Sequence, residues 1–354
     1  MEFIKPGINI DFISRRKVGY CLSGVLILIS LLSLIVHGGP RYGIDFSGGL
    51  LIQVKMPGSS TPGQIKEKLQ PIDLHNSSVQ QFGELSDNEY LIRGDVSPED
   101  LEGFSEKIET LLTIDPEKKA EVRRVEMVGP QVGKDLREKA LFAIFYALLF
   151  ITIYISGRFE FKWLLSGVMA AALIAVVYFF SLIHMSIPML IALALVAAII
   201  LFLYLNLRYA MGAIVALIHD VFITIGIFSI FDKEFTLPII AALLTIIGYS
   251  LNDTIIVFDR IRENLRRFHR KPFDQVINQS INETLSRTIL TSLTTLMVVI
   301  SLFVLGGGII HDFAFAMLIG IIIGTYSSIF VASPVLLIWS DIKEVTNSGI
   351  KKRK

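Results

Sequence analysis

Mainly apolar stretches of about 20 residues, the length that a helix needs to cross a bilayer, dominate this chain from residue 140 to residue 339. Another such stretch, residues 18–36, follows Arg15, Arg16 and Lys17 directly and is longer than the apolar core of a signal peptide. The sequence therefore predicts a polytopic α-helical membrane protein with about eight transmembrane helices. The predicted spans are residues 18–36, 140–155, 163–183, 188–205, 211–231, 237–258, 288–305 and 313–339.

The composition supports this prediction and excludes several classes of protein. Charged residues make up 18% of the chain and hydrophobic residues 53%, whereas about a quarter of an average soluble protein is charged. A net charge of +1 gives no signature of nucleic-acid binding. The single cysteine, Cys21, excludes an internal disulfide and a Cys-rich zinc site.

Basic residues near the spans predict the orientation, because they are enriched on the cytoplasmic side. They cluster at residues 15–17, 260–287 and 351–354. We therefore expect a cytoplasmic N-terminus at residues 1–17, a basic cytoplasmic loop at about 259–287 and a basic cytoplasmic tail at 340–354. An even number of spans agrees with all three.

One long polar segment, residues 37–139, separates the first span from the others and is predicted to lie in the periplasm. Its hydrophobic alternation and turn residues predict the order β-α-β-β-α-β, which is that of a ferredoxin-like α+β domain. The predicted strands are 50–56, 77–82, 89–93 and 120–128, and the predicted helices are 61–69 and 97–113.

A weak internal repeat occurs within the following membrane region, residues 140–339. Arg158-Phe159-Glu160 and the apolar run after it are echoed by Arg208-Tyr209-Ala210 and the run that follows. This pattern indicates a hairpin inserted at about residues 158–207, although short apolar matches also arise easily in membrane segments.

Ionisable side chains inside the predicted spans are the candidates for function, because such residues are costly in a membrane. They are His219 and Asp220 in span five, Asp253 with its neighbour Asn252 in span six, and Arg287 at the start of span seven. Helical spacing places the polar residues of span six on one side, which predicts a polar face inside the bundle. Burial favours a neutral carboxyl and a nearby arginine favours a charged one, so Asp253 could carry a proton. Alternatively, Asp253 and Arg287 form a structural ion pair, and His219 and Asp220 a satisfied polar pair.

Other chemistry finds no support in the sequence. No Gly-rich loop ends in Gly-Lys-Ser/Thr, the six histidines lack metal-ligand spacing, and no Ser/His/Asp nucleophile pattern occurs. We therefore predict that the chain is not an enzyme and has no metal, no cofactor and no nucleic-acid partner.

Four motifs resemble the SecF family of protein-export subunits, which are similar to the resistance–nodulation–division (RND) transporters. They are residues 42–49 (YGIDFSGG), 248–264 (GYSLNDTIIVFDRIREN), 284–288 (TLSRT) and 324–330 (GTYSSIF). The long second motif is the most specific. The resemblance covers most of residues 1–157 and 208–340, and it departs from the family in one respect, because SecF proteins usually have six spans.

The resemblance implies a multi-pass protein of the bacterial inner membrane that works with SecD and YajC beside the SecYEG channel. Such complexes use the proton gradient to promote export of a translocating preprotein, and the basic loop would also meet membrane lipids. Asp253 would be the proton-responsive carboxylate and Arg287 its basic counterpart. Two other functions fit the same residues, an RND-like proton-coupled exporter of small molecules and a structural scaffold for SecD.

Overall fold

In a computed structural model of the chain, the described residues are 9–72, 74, 77–82, 87–94, 101–113, 119–161, 163–181 and 187–338. Six helices in this part of the chain are long and apolar enough to cross a membrane. They are α1 (Arg16–Val36), α5 (Pro130–Glu160), α8 (Arg208–Ile230), α9 (Leu237–Arg267), α10 (Phe273–Leu305) and α11 (Gly308–Ser327), which a π-helix extends over Ser328–Ala332.

Two further apolar helices, α6 (Trp163–Ser181) and α7 (Ile187–Leu205), occupy the predicted inserted hairpin. The sequence predicts eight spans because these two helices are apolar as well. Their apolar parts that are fully described, Trp163–Phe179 and Met189–Leu205, are shorter than the other six helices. Side chains such as Met169, Leu173 and Phe202 are buried, while Leu164 and Tyr204 are both 85% exposed. The hairpin therefore lies at the edge of the bundle.

The hairpin is inserted at a point where the helices on either side of it are in direct contact. A side-chain oxygen of Glu160, the last residue of α5, accepts a 3.0 Å hydrogen bond from the backbone N–H of Tyr209 in the first turn of α8. The rings of Phe159 and Tyr209 stack at 5.3 Å, and both contact Phe258 of α9. The end of α5 and the start of α8 are thus joined independently of α6 and α7.

The polar segment folds as a small α+β domain, here called the outer domain. Its strands are β1 (Gly49–Lys55), β2 (Ser78–Phe82), β3 (Glu89–Gly94) and β4 (Glu121–Val128), and its helices include α2 (Ile44–Ser47), α3 (Pro62–Lys68) and α4 (Leu101–Leu112). The antiparallel sheet has the order β2-β3-β1-β4, so the first strand lies between the third and the fourth. Buried apolar residues of the sheet and of α3 and α4 form a separate core. The first four residues of the helix predicted at 97–113 are outside the described residues.

Several helices extend further than the sequence predicted. α5 begins at Pro130 instead of residue 140, directly after Gly129 and the last strand. α9 continues to Arg267 and α10 begins at Phe273, so the basic segment predicted as a loop at 259–287 is mainly helical. The sequence predicts a loop there because the charged residues end an apolar run, but they do not end a helix.

α8, α9 and α11 form the centre of the bundle. Small residues let them approach closely, as at Gly324, where an added Cβ would lie 2.9 Å from Cβ of Ser250 on α9. α1 packs on α8 in the same way, since a Cβ at Gly226 would collide with Ser30. The opposite side of α1 is apolar and exposed, as expected for a surface that faces lipid.

Candidate functional site

Asp220 lies on α8 at the centre of the bundle and is completely buried. Its Oδ2 accepts hydrogen bonds from Ser250 Oγ of α9 at 2.5 Å and from Ser327 Oγ of α11 at 2.8 Å. Its Oδ1 lies 2.8 Å from Nδ1 of the adjacent His219. Three partners from three directions therefore compensate this carboxyl group.

His219 continues the network towards the start of α1. Its Nε2 is 3.0 Å from Ser23 Oγ, which is 3.0 Å from the hydroxyl of Tyr326. That hydroxyl donates to the backbone carbonyl of Gly19 at 2.6 Å. The predicted pair of His219 and Asp220 is thus one part of a longer chain of hydrogen bonds that ties α1 to α8 and α11.

Asp253 is also buried, with 1% exposure, but it is much less well compensated. Among the described residues its one hydrogen bond comes from Ser292 Oγ of α10, at 3.4 Å. Ser292 Oγ lies 2.7 Å from Thr325 Oγ1 of α11, and that hydroxyl donates to the carbonyl of Ile321 at 2.8 Å. Two carboxyl groups of the same kind therefore have contrasting surroundings.

Three consecutive residues of α11 connect the two carboxyl groups. Thr325 reaches Asp253 through Ser292, Tyr326 reaches His219 through Ser23, and Ser327 bonds Asp220 directly. The π-helix begins immediately after them, at Ser328. Single π-helical turns are common at functional sites, and this one follows the contacts to both acids.

The remaining predicted site residues, Asn252 and Arg287, lie on the surface of this chain. Thr245, one of the polar residues of span six, is exposed as well, so within this chain the predicted polar face is only partly buried. The reason is geometric, because consecutive helical residues are about 100° apart, and Asp253 points inwards while Asn252 points outwards. Asp253 and Arg287, both described residues, form no ion pair within 4 Å, but the charge of Arg287 acts on Asp253 at longer range.

Sequence reasoning gave no role to Ser23, Ser250, Ser292 or Tyr326. Hydroxyl residues are frequent in membrane helices, so nothing in their spacing separates them from packing residues. Two of these residues could have been found from their positions in the motifs. Ser250 precedes Asp253 by about one helical turn in the motif at 248–264, and Tyr326 lies in the motif at 324–330. Over the described residues, no cluster of three His, Cys, Asp or Glu side chains could hold a metal ion.

Comparison with known proteins places this architecture in a family. The family model described as "Protein export membrane protein SecD/SecF, C-terminal" matches residues 107–201 and 184–342. A protein translocase subunit SecF from Magnetococcus marinus is 43% identical, over 96% of this chain and 94% of its own length. Another, from Calditerrivibrio nitroreducens, is 41% identical, over 97% and 98%. The chain belongs to the SecF family.

Solved structures agree with the membership of the SecF family. A crystal structure of SecDF from Thermus thermophilus, a translocon-associated membrane protein, matches with a TM-score of 0.69 and 29% identity over 95% of this chain. SecDF in its super-membrane-facing form matches with a TM-score of 0.61, also at 29% identity. The chain spans 39% and 41% of these two SecDF chains. The match supports an RND-like membrane fold for this SecF-family chain.

Proposed function

We propose that this SecF-family chain is an accessory subunit of the Sec protein-translocation machinery and uses the proton gradient, with a SecD-type partner, to promote preprotein export. The observation that carries the proton-coupled part is the contrast between the two buried acids. Asp220 has three partners, whereas Asp253 has one long hydrogen bond. An ionised carboxylate that is buried with little compensation is costly, so Asp253 is the group best suited to gain and lose a proton.

The hydroxyl chain beside Asp253 fits both of its protonation states. A serine or threonine hydroxyl has one proton to donate. When Asp253 is protonated, it donates to Ser292, which donates to Thr325, which donates to the carbonyl of Ile321. When Asp253 is ionised, Ser292 turns and donates to it instead. Each protonation change therefore reorients a hydroxyl that bridges α9, α10 and α11.

Arg287 and Asn252 suit a surface that a partner covers. Both are exposed on the surface of this chain, Asn252 on α9 near the exposed Gly248 and Arg287 on α10. Polar groups facing lipid are costly, and the matched SecDF chains are more than twice as long as this one. We infer that the SecD-type partner packs on this face and that Arg287, whose charge acts on Asp253, is the basic counterpart of that carboxyl group.

The remaining parts of the proposal concern location and neighbours. We place the protein in the bacterial inner membrane, with both termini in the cytoplasm and the outer domain in the periplasm. There the outer domain would contact the emerging preprotein beside SecYEG, with YajC as a further neighbour. The basic stretch Arg260–Lys271, at the end of α9 and before α10, would lie against anionic lipid headgroups.

The test is preprotein export in cells that lack the native gene and carry either the wild type or Asp253→Asn. Asp259→Asn is the matched control, because Asp259 lies on the same helix but is exposed and pairs with Arg158 at 2.7 Å. We expect export to fall about tenfold or more in Asp253→Asn alone, with unchanged membrane levels and SecD co-purification. Normal export in Asp253→Asn would contradict proton coupling through this residue and favour a scaffold for SecD.

A further inference from the structure

The turn between α8 and α9 is joined to the chain segment that leads into the outer domain. The backbone N–H of Phe235 donates to the carbonyl of Arg41 at 2.8 Å, and the N–H of Gly43 donates to the carbonyl of Phe235 at 2.7 Å. A Cβ at Gly43 would lie 2.8 Å from Cγ2 of Thr236. The two segments are therefore paired through their backbones, at a distance that only glycine allows at position 43.

Asp45 extends this contact to the start of α9. Its Oδ2 accepts a 2.8 Å hydrogen bond from the backbone N–H of Leu237, the first residue of the helix. Thr236, which occupies the N-cap position, makes no capping bond with its own side chain. A side chain from the first motif thus supplies the anionic cap that a helix N-terminus favours, and it does so for the helix that carries Asp253.

A cluster of ion pairs completes the contact from the side of the sheet. Glu234 pairs with Arg93 of β3 and with Nε of Arg41 at 3.4 Å, and Arg41 also pairs with Asp232. Glu234 and Arg93 are largely buried, with side-chain exposures of 12% and 19%. Burial, and then the charge of Arg41, lower the pKa of Arg93 to about 10, so its guanidinium is still charged at neutral pH.

The same segment is fixed to α5. A Cβ at Gly48 would lie 2.7 Å from Cα of Pro130, the first residue of α5, and the guanidinium of Arg137 lies 5.2 Å from the centre of the Tyr42 ring. The segment 41–48 therefore touches α5, α9 and the α8–α9 turn at once. None of these contacts involves the two acids inside the membrane.

We propose that Arg41, Gly43, Asp45, Arg93 and Glu234 form a rigid joint that transmits movement of α9 to the outer domain, with Asp45 and Glu234 as its positioning residues. We call this set the outer joint. It rests on the proposed proton-driven function, because α9 carries Asp253 16 residues after Leu237, roughly 24 Å along the helix axis at 1.5 Å per residue. A change at Asp253 can then reach the periplasmic face without an intervening flexible linker.

The first experiment breaks the outer joint without removing a membrane acid. Asp45→Ala and Glu234→Gln are expected to reduce export several-fold, at unchanged membrane level and SecD co-purification. Asp45→Asn is the matched control, because its side-chain oxygen can still cap Leu237. Export at wild-type level in both Asp45→Ala and Glu234→Gln overturns the proposal.

The second experiment distinguishes a rigid joint from a purely structural contact and from a gate that opens. Arg93→Cys and Glu234→Cys are combined with Cys21→Ser, and the two new thiols are linked with a short bifunctional thiol reagent. A rigid joint predicts low export before linking and recovery after it. Loss of the remaining export on linking, or no change, overturns the proposal.

Failure of the outer joint is separable from failure of the proposed function. Normal export in Asp253→Asn with impaired export in Asp45→Ala removes the proton-coupled function from Asp253, and the joint then has no input to transmit. Impaired export in Asp253→Asn with normal export in both outer-joint variants overturns the joint alone. Faster amide hydrogen exchange at Gly43 and Leu237 in Glu234→Gln checks that the contact itself has been broken.

Discussion

Two buried aspartates with different hydrogen-bond partners are the main feature at the scale of single residues. Asp220 is held by Ser250, Ser327 and His219, whereas Asp253 has one long bond from Ser292. The same side chain can therefore have a structural role at one position and carry a proton at the other. Which role applies depends on the donors that neighbouring helices provide.

Asp220→Asn should therefore affect export much less than Asp253→Asn. An asparagine at position 220 keeps an oxygen for the Ser250 and Ser327 hydroxyls, and its amide can donate to His219 if the imidazole proton moves to Nε2. We expect export within about twofold of the wild type and unchanged SecD co-purification. Export as low as that of Asp253→Asn would assign the proton-carrying role to both acids.

Close packing at Gly324 predicts a measurable loss of stability in Gly324→Ala. The new methyl group would lie 2.9 Å from Cβ of Ser250 and would push α11 away from α9. Overpacking of this kind typically costs about 1–3 kcal/mol, so thermal unfolding in detergent should occur at a lower temperature. Gly167→Ala on α6 is the control, because nothing lies within 4 Å of the added Cβ. Equal unfolding temperatures would contradict the tight α9–α11 contact.

The sequence could predict the acids at this scale but not their partners. The cost of charge in a membrane made Asp220 and Asp253 recognisable. Their hydroxyl donors come from helices distant in sequence, such as Ser292, which is 39 residues from Asp253. The exposure of Asn252 and Arg287 was not predictable either. Helical periodicity shows which residues share a face, but it does not show whether other helices of the chain cover that face.

At the scale of helices, the inserted hairpin is the clearest feature. The family model matches residues 107–201 and 184–342 as two overlapping segments, and the overlap falls on α7. Apolar length and the weak repeat were enough to predict α6 and α7. The contact of Glu160 with Tyr209 across the insertion was not predictable, because it joins residues 49 positions apart.

Removal of the hairpin should leave the bundle intact. We expect a chain in which residues 162–206 are replaced by a short flexible linker to insert into the membrane, to co-purify with SecD and to support export. The reason is that Glu160, Phe159 and Tyr209 already hold the two ends together. The measurements are membrane level, co-purification and export. Loss of SecD co-purification would instead make the hairpin part of the partner surface.

At the scale of the whole molecule, the orientation of the chain in the membrane can be tested. The outer domain is proposed to lie in the periplasm and the turn between α9 and α10 in the cytoplasm. We expect a thiol at the exposed Lys271, between α9 and α10, to react only with reagents that reach the cytoplasm. A thiol at the exposed Ser59, in the outer domain, should react from the periplasm. Each is introduced singly in a Cys21→Ser background. Labelling of both positions from one side would contradict the proposed topology.

The exposed face of α9 and α10 predicts where a substitution should weaken binding of the SecD-type partner. Gly248 has nothing within 4 Å of an added Cβ, so Gly248→Leu should leave this chain folded. If the SecD-type partner packs there, the larger side chain should reduce co-purification several-fold. Gly167→Leu, on the hairpin, provides a control of equal size. Undiminished co-purification of Gly248→Leu would place the partner on another face.

The junction at Gly129 has a consequence for how this architecture can vary. β4 ends at Val128 and α5 begins at Pro130, so the sheet and a transmembrane helix share one continuous stretch of backbone. Each residue added to or removed from the outer turns of α5 would swivel the domain by about 100° and shift it by about 1.5 Å. The contact between Asp45 and Leu237 forbids that swivel. The number of residues in this stalk therefore sets both the rotation and the height of the domain, so even an insertion of whole turns should break the contact between Asp45 and Leu237 through its shift along the helix axis.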